Sequence, residues 1–161
     1  MNIYKNFLSK KEFKQLEDRI MGDNMPWYYY DGVVKKTDDY FQLVYVFVFA
    51  GGKINCEDYM MDLLKPFAKK LNIKNFYKVK TNLLTKTNKI IEHGMHIDDD
   101  NHTKGKTGIF YLNTCNGYTK LEDGTKIKSE KNKYVEFDCN IRHTGSSCTD
   151  QRRRVVINFN Y

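Results

Sequence analysis

His96 and Asp98 stand two apart in the stretch Glu92-His93-Gly94-Met95-His96-Ile97-Asp98. On a β-strand, residues two apart share a face, about 6.6 Å apart along the chain. From there an imidazole and a carboxylate can converge on one metal ion. His143, on another strand, would complete two histidines and one carboxylate. Such a set caps one face of an octahedron and leaves the remaining positions open, an arrangement suited to non-haem Fe(II). Eleven residues on, Arg154 opens the run Arg154-Val155-Val156-Ile157-Asn158-Phe159-Asn160-Tyr161. A guanidinium is a planar fork that matches a carboxylate. The expectation is a metal at His96, Asp98 and His143, with Arg154 holding the far carboxylate of a metal-bound co-substrate. Each residue alone has an ordinary reading: a surface His-x-Asp, a satisfied histidine, a solvated basic turn at Arg152-Arg153-Arg154. Their order along the chain is the demanding feature.

Several elements must position these residues. Ser9-Lys10-Lys11-Glu12 reads as a capping box, followed by Phe13, Leu16 and Ile20 at helical spacing, and Gly22 suits a C-terminal cap. This predicts a helix over 9–21, packed on a sheet. Aromatic residues 27–30, bounded by Pro26 and Asp31-Gly32, read as a strand. Residues 40–49 form a second, ended by Gly51-Gly52. Their aromatics are expected in the core rather than on a nucleic-acid stacking surface, because strands favour these residue types. Residues 55–71 follow a helical period, with Met60, Leu63, Phe67 and Leu71 as the buried stripe. Glu57, Asp58, Lys69 and Lys70 match the helix dipole, and Pro66 should kink or split the helix. Short strands then follow at 75–84, 89–97, 107–113, 118–121, 126–128, 133–138, 141–144 and 153–160, with turns at Asn116-Gly117 and Asp123-Gly124. Helices followed by many short strands predict a mainly β (α+β) fold: a double-stranded β-helix, or jelly roll, with N-terminal helices on one sheet.

A chain of 161 residues suits one domain, 1–161, with a helix-and-strand support over 1–74 and a jelly-roll core over 75–161. Hydrophobic content of 40% against 29% charged residues excludes a disordered chain. No apolar run reaches the ~20 residues of a membrane span. The N-terminus shows no secretory pattern, so a cytoplasmic location is expected. Cys56, Cys115, Cys139 and Cys148 form no CxxC pair and read as free thiols. Net charge is +7, spread from Lys5 to Arg154 without a long basic block, which favours a solvated surface over an acidic partner.

The residues 75–161 resemble the Fe(II)- and 2-oxoglutarate-dependent dioxygenases, in the prolyl 4-hydroxylase-like branch and its small phage-encoded members. The matching stretches are His96-Ile97-Asp98, Gly108-Ile109-Phe110-Tyr111-Leu112-Asn113, His143-Thr144-Gly145 and Arg154-Val155-Val156-Ile157-Asn158-Phe159. Residues 26–82 are similar more loosely. The resemblance implies Fe(II) on His96, Asp98 and His143, and 2-oxoglutarate with O2 as co-substrates. Arg154 and Tyr111 would bind the 2-oxoglutarate carboxylate, and ascorbate is a further candidate cofactor. Asn82 is a candidate polar contact with a structural role as its alternative, and Arg152 is the fallback for Arg154, while Arg153 should face away. The implied reaction releases succinate and CO2 and hydroxylates an amino-acid side chain, peptidyl proline among the candidates. A phage origin would place it in the host cytoplasm.

Other residues have weaker readings. His93 sits at an odd offset from His96 and reads as structural. Asp100 shares the face of Asp98 only if the strand continues; a loop over 99–106, with His102, is expected at the substrate mouth. Arg142 reads as a surface salt bridge or a substrate contact. Trp27, Tyr28 and Tyr29 are candidate pocket walls or core. Two other functions compete. An oxidative nucleic-acid demethylase would use the positive charge and bind with steep salt dependence. A non-catalytic jelly-roll module could hold zinc on the same His₂Asp set, although it would need no carboxylate clamp.

Overall fold

The computed structural model describes residues 1–99 and 101–161; Asp100, and the expectation attached to it, lie outside them. Among the described residues, helices α1 (Lys10–Met21), α2 (Asp58–Asp62) and α3 (Lys65–Leu71) accompany ten strands. The strands are β1 (Asn2–Tyr4), β2 (Tyr28–Asp31), β3 (Phe41–Val48), β4 (Lys78–Thr85), β5 (Lys106–Tyr111), β6 (Tyr118–Leu121), β7 (Lys126–Lys128), β8 (Lys133–Asp138), β9 (His143–Gly145) and β10 (Arg153–Asn160). They form a seven-stranded sheet, ordered β1-β8-β5-β10-β4-β3-β2, and a three-stranded sheet, β7-β6-β9. All pairings between named strands are antiparallel.

Local chemistry explains the helix ends. Ser9 and Glu12 close the capping box reciprocally, the Glu12 amide donating to Ser9 Oγ and the Ser9 amide to Glu12 Oε2. Gly22 is the C-cap, but with extended backbone rather than the left-handed turn that glycine usually supplies. The predicted 55–71 helix is two pieces, and Pro66 lies in the first turn of α3, where its missing N–H costs no helical bond.

Alternation along β10 divides the molecule. Val155, Ile157 and Phe159 face the helices and join Phe13, Leu16, Ile20, Met60, Leu64 and Phe67 in the larger core. The Phe67 and Phe159 rings lie 4.6 Å apart, and truncating such a fully buried phenylalanine costs about 3–5 kcal/mol. On the other face, Ile109, Tyr111, Val135, Phe137 and Val156 pack against Leu121 and Ile127 of the small sheet. The site lies between the two sheets.

Four expectations change. β1 is an additional edge strand, paired with β8; nothing in three residues distinguishes it. No strand runs over 89–97, where isolated bridges join Glu92 to Ser146 and His96 to His143. Leu63 and Leu71 are half-buried, and Leu64 takes the fully buried place between α2 and α3. Tyr28, Tyr29 and Tyr30 are 62%, 64% and 42% exposed, so the core reading fails for them. β2 is an edge strand whose faces lack the cover that the central strands receive, while neighbouring Trp27 does pack on the core.

Candidate metal centre

His96 and His143 are partners in one antiparallel bridge. The His96 amide donates to the His143 carbonyl at 2.9 Å, and the reverse bond measures 2.8 Å. Directly opposed residues send their side chains to the same face, and here the rings come within 4.9 Å. The segment carrying His96 is held by other bonds: His93 N–H to the Gly145 carbonyl, Thr144 Oγ1 to the His93 carbonyl, and Arg142 Nη2 to the Met95 carbonyl. Arg142 thus positions the histidine segment and forms no salt bridge among the described residues. Glu92 anchors the other end, 2.8 Å from Lys120 and 3.0 Å from Lys126. Hydrogen bonds from Lys120, Tyr118 and Lys126 pull its pKa down to about 2.

Each candidate ligand has one donor atom occupied and one free. His96 Nδ1 donates to the Gly94 carbonyl (3.0 Å) and His143 Nδ1 to the Ile141 carbonyl (3.3 Å), which leaves both Nε2 lone pairs available. Asn160 Nδ2 donates to Asp98 Oδ2 at 2.9 Å, leaving Oδ1. Asp98 Oδ1 lies 3.9 Å from His96 Nε2 and 3.7 Å from His143 Nε2. Both separations are less than twice a ~2.1 Å metal–ligand bond, so one ion can bridge them. Burial raises the Asp98 pKa, but His143, Asn160 and His96 outweigh it and the net shift is downward. Burial, then His143, lowers that of His96. Carboxylate and neutral imidazole are the states that bind metal. These residues fit an Fe(II) ion.

Beside the three donors lies a cavity of ≈ 520 Å³ of atom-free space, open mouth included. Arg154 lines it and is 2% exposed. Its Nη2 donates to Thr119 Oγ1 at 3.2 Å, its guanidinium carbon lies 5.7 Å from the Tyr111 ring centroid, and its Nε has no partner among the described residues. Burial disfavours its charge and lowers its pKa, so an anion arriving here would be strongly held. Tyr111 is fully buried behind Thr119, to which its hydroxyl donates at 2.9 Å; it supports Arg154 rather than lining the cavity. Asn82 does line it, with Oδ1 buried and, among the described residues, unpartnered. Arg152 is exposed before β10 begins, and Arg153 donates to the Met21 carbonyl on the helix side.

Lys80, Asn158, Thr119 and Gln42 also line the cavity, and Asn160 orients Asp98. Period-two counting along β10 from Arg154 reaches Asn158 and Asn160, and counting back from Asn82 reaches Lys80. No sequence signal marks Thr119 or Gln42. His93 packs its ring edge against Tyr40, and His102 stacks on Tyr77; neither lines this cavity.

No family model and no curated protein matches the sequence. Solved structures do. A 2OG-Fe(II) oxygenase family oxidoreductase from Burkholderia pseudomallei matches with TM-score 0.70 at 14% identity, over 97% of this chain and 81% of its own. A Trichoplax adhaerens prolyl hydroxylase, in complex with a hypoxia inducible factor oxygen degradation domain peptide fragment, gives 0.69 at 15%, over 99% and 82%. The viral collagen prolyl hydroxylase of Paramecium Bursaria Chlorella virus-1 gives 0.52 at 17%, over 99% and 88%. The chain has the fold of these oxygenases. At such identities the likeness concerns the fold, and the chemistry must be argued from the site.

Proposed function

We propose that the chain is a non-haem Fe(II)- and 2-oxoglutarate-dependent dioxygenase, built on a double-stranded β-helix, that hydroxylates an amino-acid side chain. One observation carries the reading: His96 Nε2, Asp98 Oδ1 and His143 Nε2 face one point, while the second polar atom of each is engaged elsewhere. Those three atoms would hold Fe(II). Iron(II) with 2-oxoglutarate and O2 supplies oxidative decarboxylation to succinate and CO2, coupled to insertion of an oxygen atom into a C–H bond. The chain's contribution is placement and dryness. Arg154 would take the far carboxylate in its buried fork, with Thr119 and the Tyr111 face fixing its direction. Leu84, Ile109 and Val156 give the same cavity an apolar lining. Asn160 keeps Asp98 from turning.

The peptide held by the Trichoplax relative supports a peptide or protein substrate and makes peptidyl proline the first one to test. Incubation with Fe(II), 2-oxoglutarate and ascorbate should release succinate, and a peptide panel should show a mass gain of one oxygen. His143→Ala should abolish both. Turnover that survives this substitution rejects the reading.

A further inference from the structure

Lys80 lies outside the His96, Asp98 and His143 set and makes no contact with Arg154, yet it lines the same cavity from β4. It pairs across the sheet with Asn158 on one side and Val46 on the other. Its ammonium lies 6.0 Å from the Tyr30 ring centroid, beside the exposed edge strand β2, while Asp98 and His96 line the same cavity. Among the described residues it makes no ion pair and no hydrogen bond, although lysines elsewhere in the chain find carboxylates at 2.6–3.0 Å. Two acceptors line the cavity with it, one two residues on along β4 and one at its register partner on β10: Asn82 Oδ1 and Asn158 Oδ1 are both buried and, among the described residues, without a donor. Lys80 is half-buried, and two buried amide oxygens left unpaired beside an unpaired ammonium are costly unless a ligand completes them.

Charge points the same way. A divalent metal, Lys80 and Arg154 bring four positive charges to the cavity, and Asp98 is the acidic residue among those described that line it. A doubly charged keto acid would still leave one positive charge unmatched. Burial and the neighbouring Lys78 pull the Lys80 pKa down to about 8, which a bound anion would reverse.

We propose that Lys80 is a specificity-determining residue that pairs with a carboxylate of the amino-acid substrate, with Asn82 and Asn158 accepting its N–H groups. This rests on the oxygenase reading and deepens it: acidic side chains become preferred over proline. One ammonium beside two carbonyl oxygens fits a flat monoanion carrying N–H donors better than a phosphate, whose extra charge and oxygens would meet those acceptors.

The test is a binding titration on Mn(II)-loaded protein, with and without 2-oxoglutarate, read by water-proton relaxation. The probes are N-acetylated, C-amidated aspartate, glutamate, asparagine, glutamine, proline and phosphoserine. The acidic probes should bind about ten-fold more tightly than their amide isosteres. Lys80→Met should erase that preference and Lys80→Arg should keep it. An absence of acidic preference, a preference that survives Lys80→Met, or tighter binding of phosphoserine overturns the proposal. So does a loss of 2-oxoglutarate affinity in Lys80→Met that matches the loss of acid preference, because Lys80 would then serve the keto acid. Failure of the wild-type protein to bind 2-oxoglutarate would sink the oxygenase reading instead, and the titrations without keto acid would still report on Lys80.

Discussion

Asn160 donates its side-chain amide to Asp98 Oδ2 at 2.9 Å across a separation of 62 residues, and also reaches Thr107 Oγ1 at 3.1 Å. The last residue of β10 therefore orients the one carboxylate of the metal set. Asn160→Ala should leave the fold intact and weaken metal binding by about 10–100-fold, the usual effect of losing a partner behind a ligand. Anaerobic Fe(II) titration, or Mn(II) binding, measures it. An unchanged affinity would show that Asp98 needs no such support.

Arg154 combines a liability with a function. Its charge is buried, and among the described residues its Nε is unpartnered and its neighbours are a hydroxyl and an aromatic face rather than a carboxylate. Arg154→Met should raise the thermal stability of the ligand-free protein, because an uncompensated buried charge is removed. The same change should weaken 2-oxoglutarate binding by roughly 2 kcal/mol, the loss of a charge-assisted pair. Calorimetry on Mn(II)-loaded protein reads the second effect and thermal melts the first.

Gly117 sits against this arginine. A Cβ there would lie 2.7 Å from Arg154 Cδ and 2.7 Å from the Ser147 carbonyl oxygen. Gly117→Ala should destabilise the protein by about 1–3 kcal/mol through overpacking and displace the guanidinium. Keto-acid affinity should fall with it while metal affinity holds, which separate titrations of the two ligands would reveal.

Glu92 gives a pH signature. Its pKa is held down at about 2 by Lys120, Tyr118 and Lys126, against an ordinary 4.5. Because the folded value is the lower one, its stabilising contribution is complete above pH 4.5 and is lost as pH falls from there towards 2. Glu92→Gln should flatten the stability-versus-pH curve across that window. Added salt should do so in part, since the group is near solvent. Equilibrium denaturation at several pH values measures the slope.

Much of the fold is legible in the sequence because its cues are local. The Ser9–Glu12 box, the period of α1, the proline break before α3 and the alternation of β6, β8 and β10 all act within a few residues. β1 and the irregular segment before His96 escape such reading, since pairing partners more than a hundred residues away define the first and two isolated bridges the second. Residue types and their order likewise nominate His96, Asp98, His143 and Arg154, because few side chains ligate metals or clamp carboxylates.

Tertiary structure decided the rest. His96 meets His143 through a single β-bridge between distant segments, not through the two-residue rhythm that links His96 with Asp98. Tyr111 is held off the cavity by Thr119, and among the described residues Lys80 is left without a counter-ion inside it. The chain by itself determined which chemistry was on offer. Which groups remain unsatisfied, and face the same few ångströms of space, depends on partners that folding brings from distant strands, and that pairing is what turns a list of polar residues into a site.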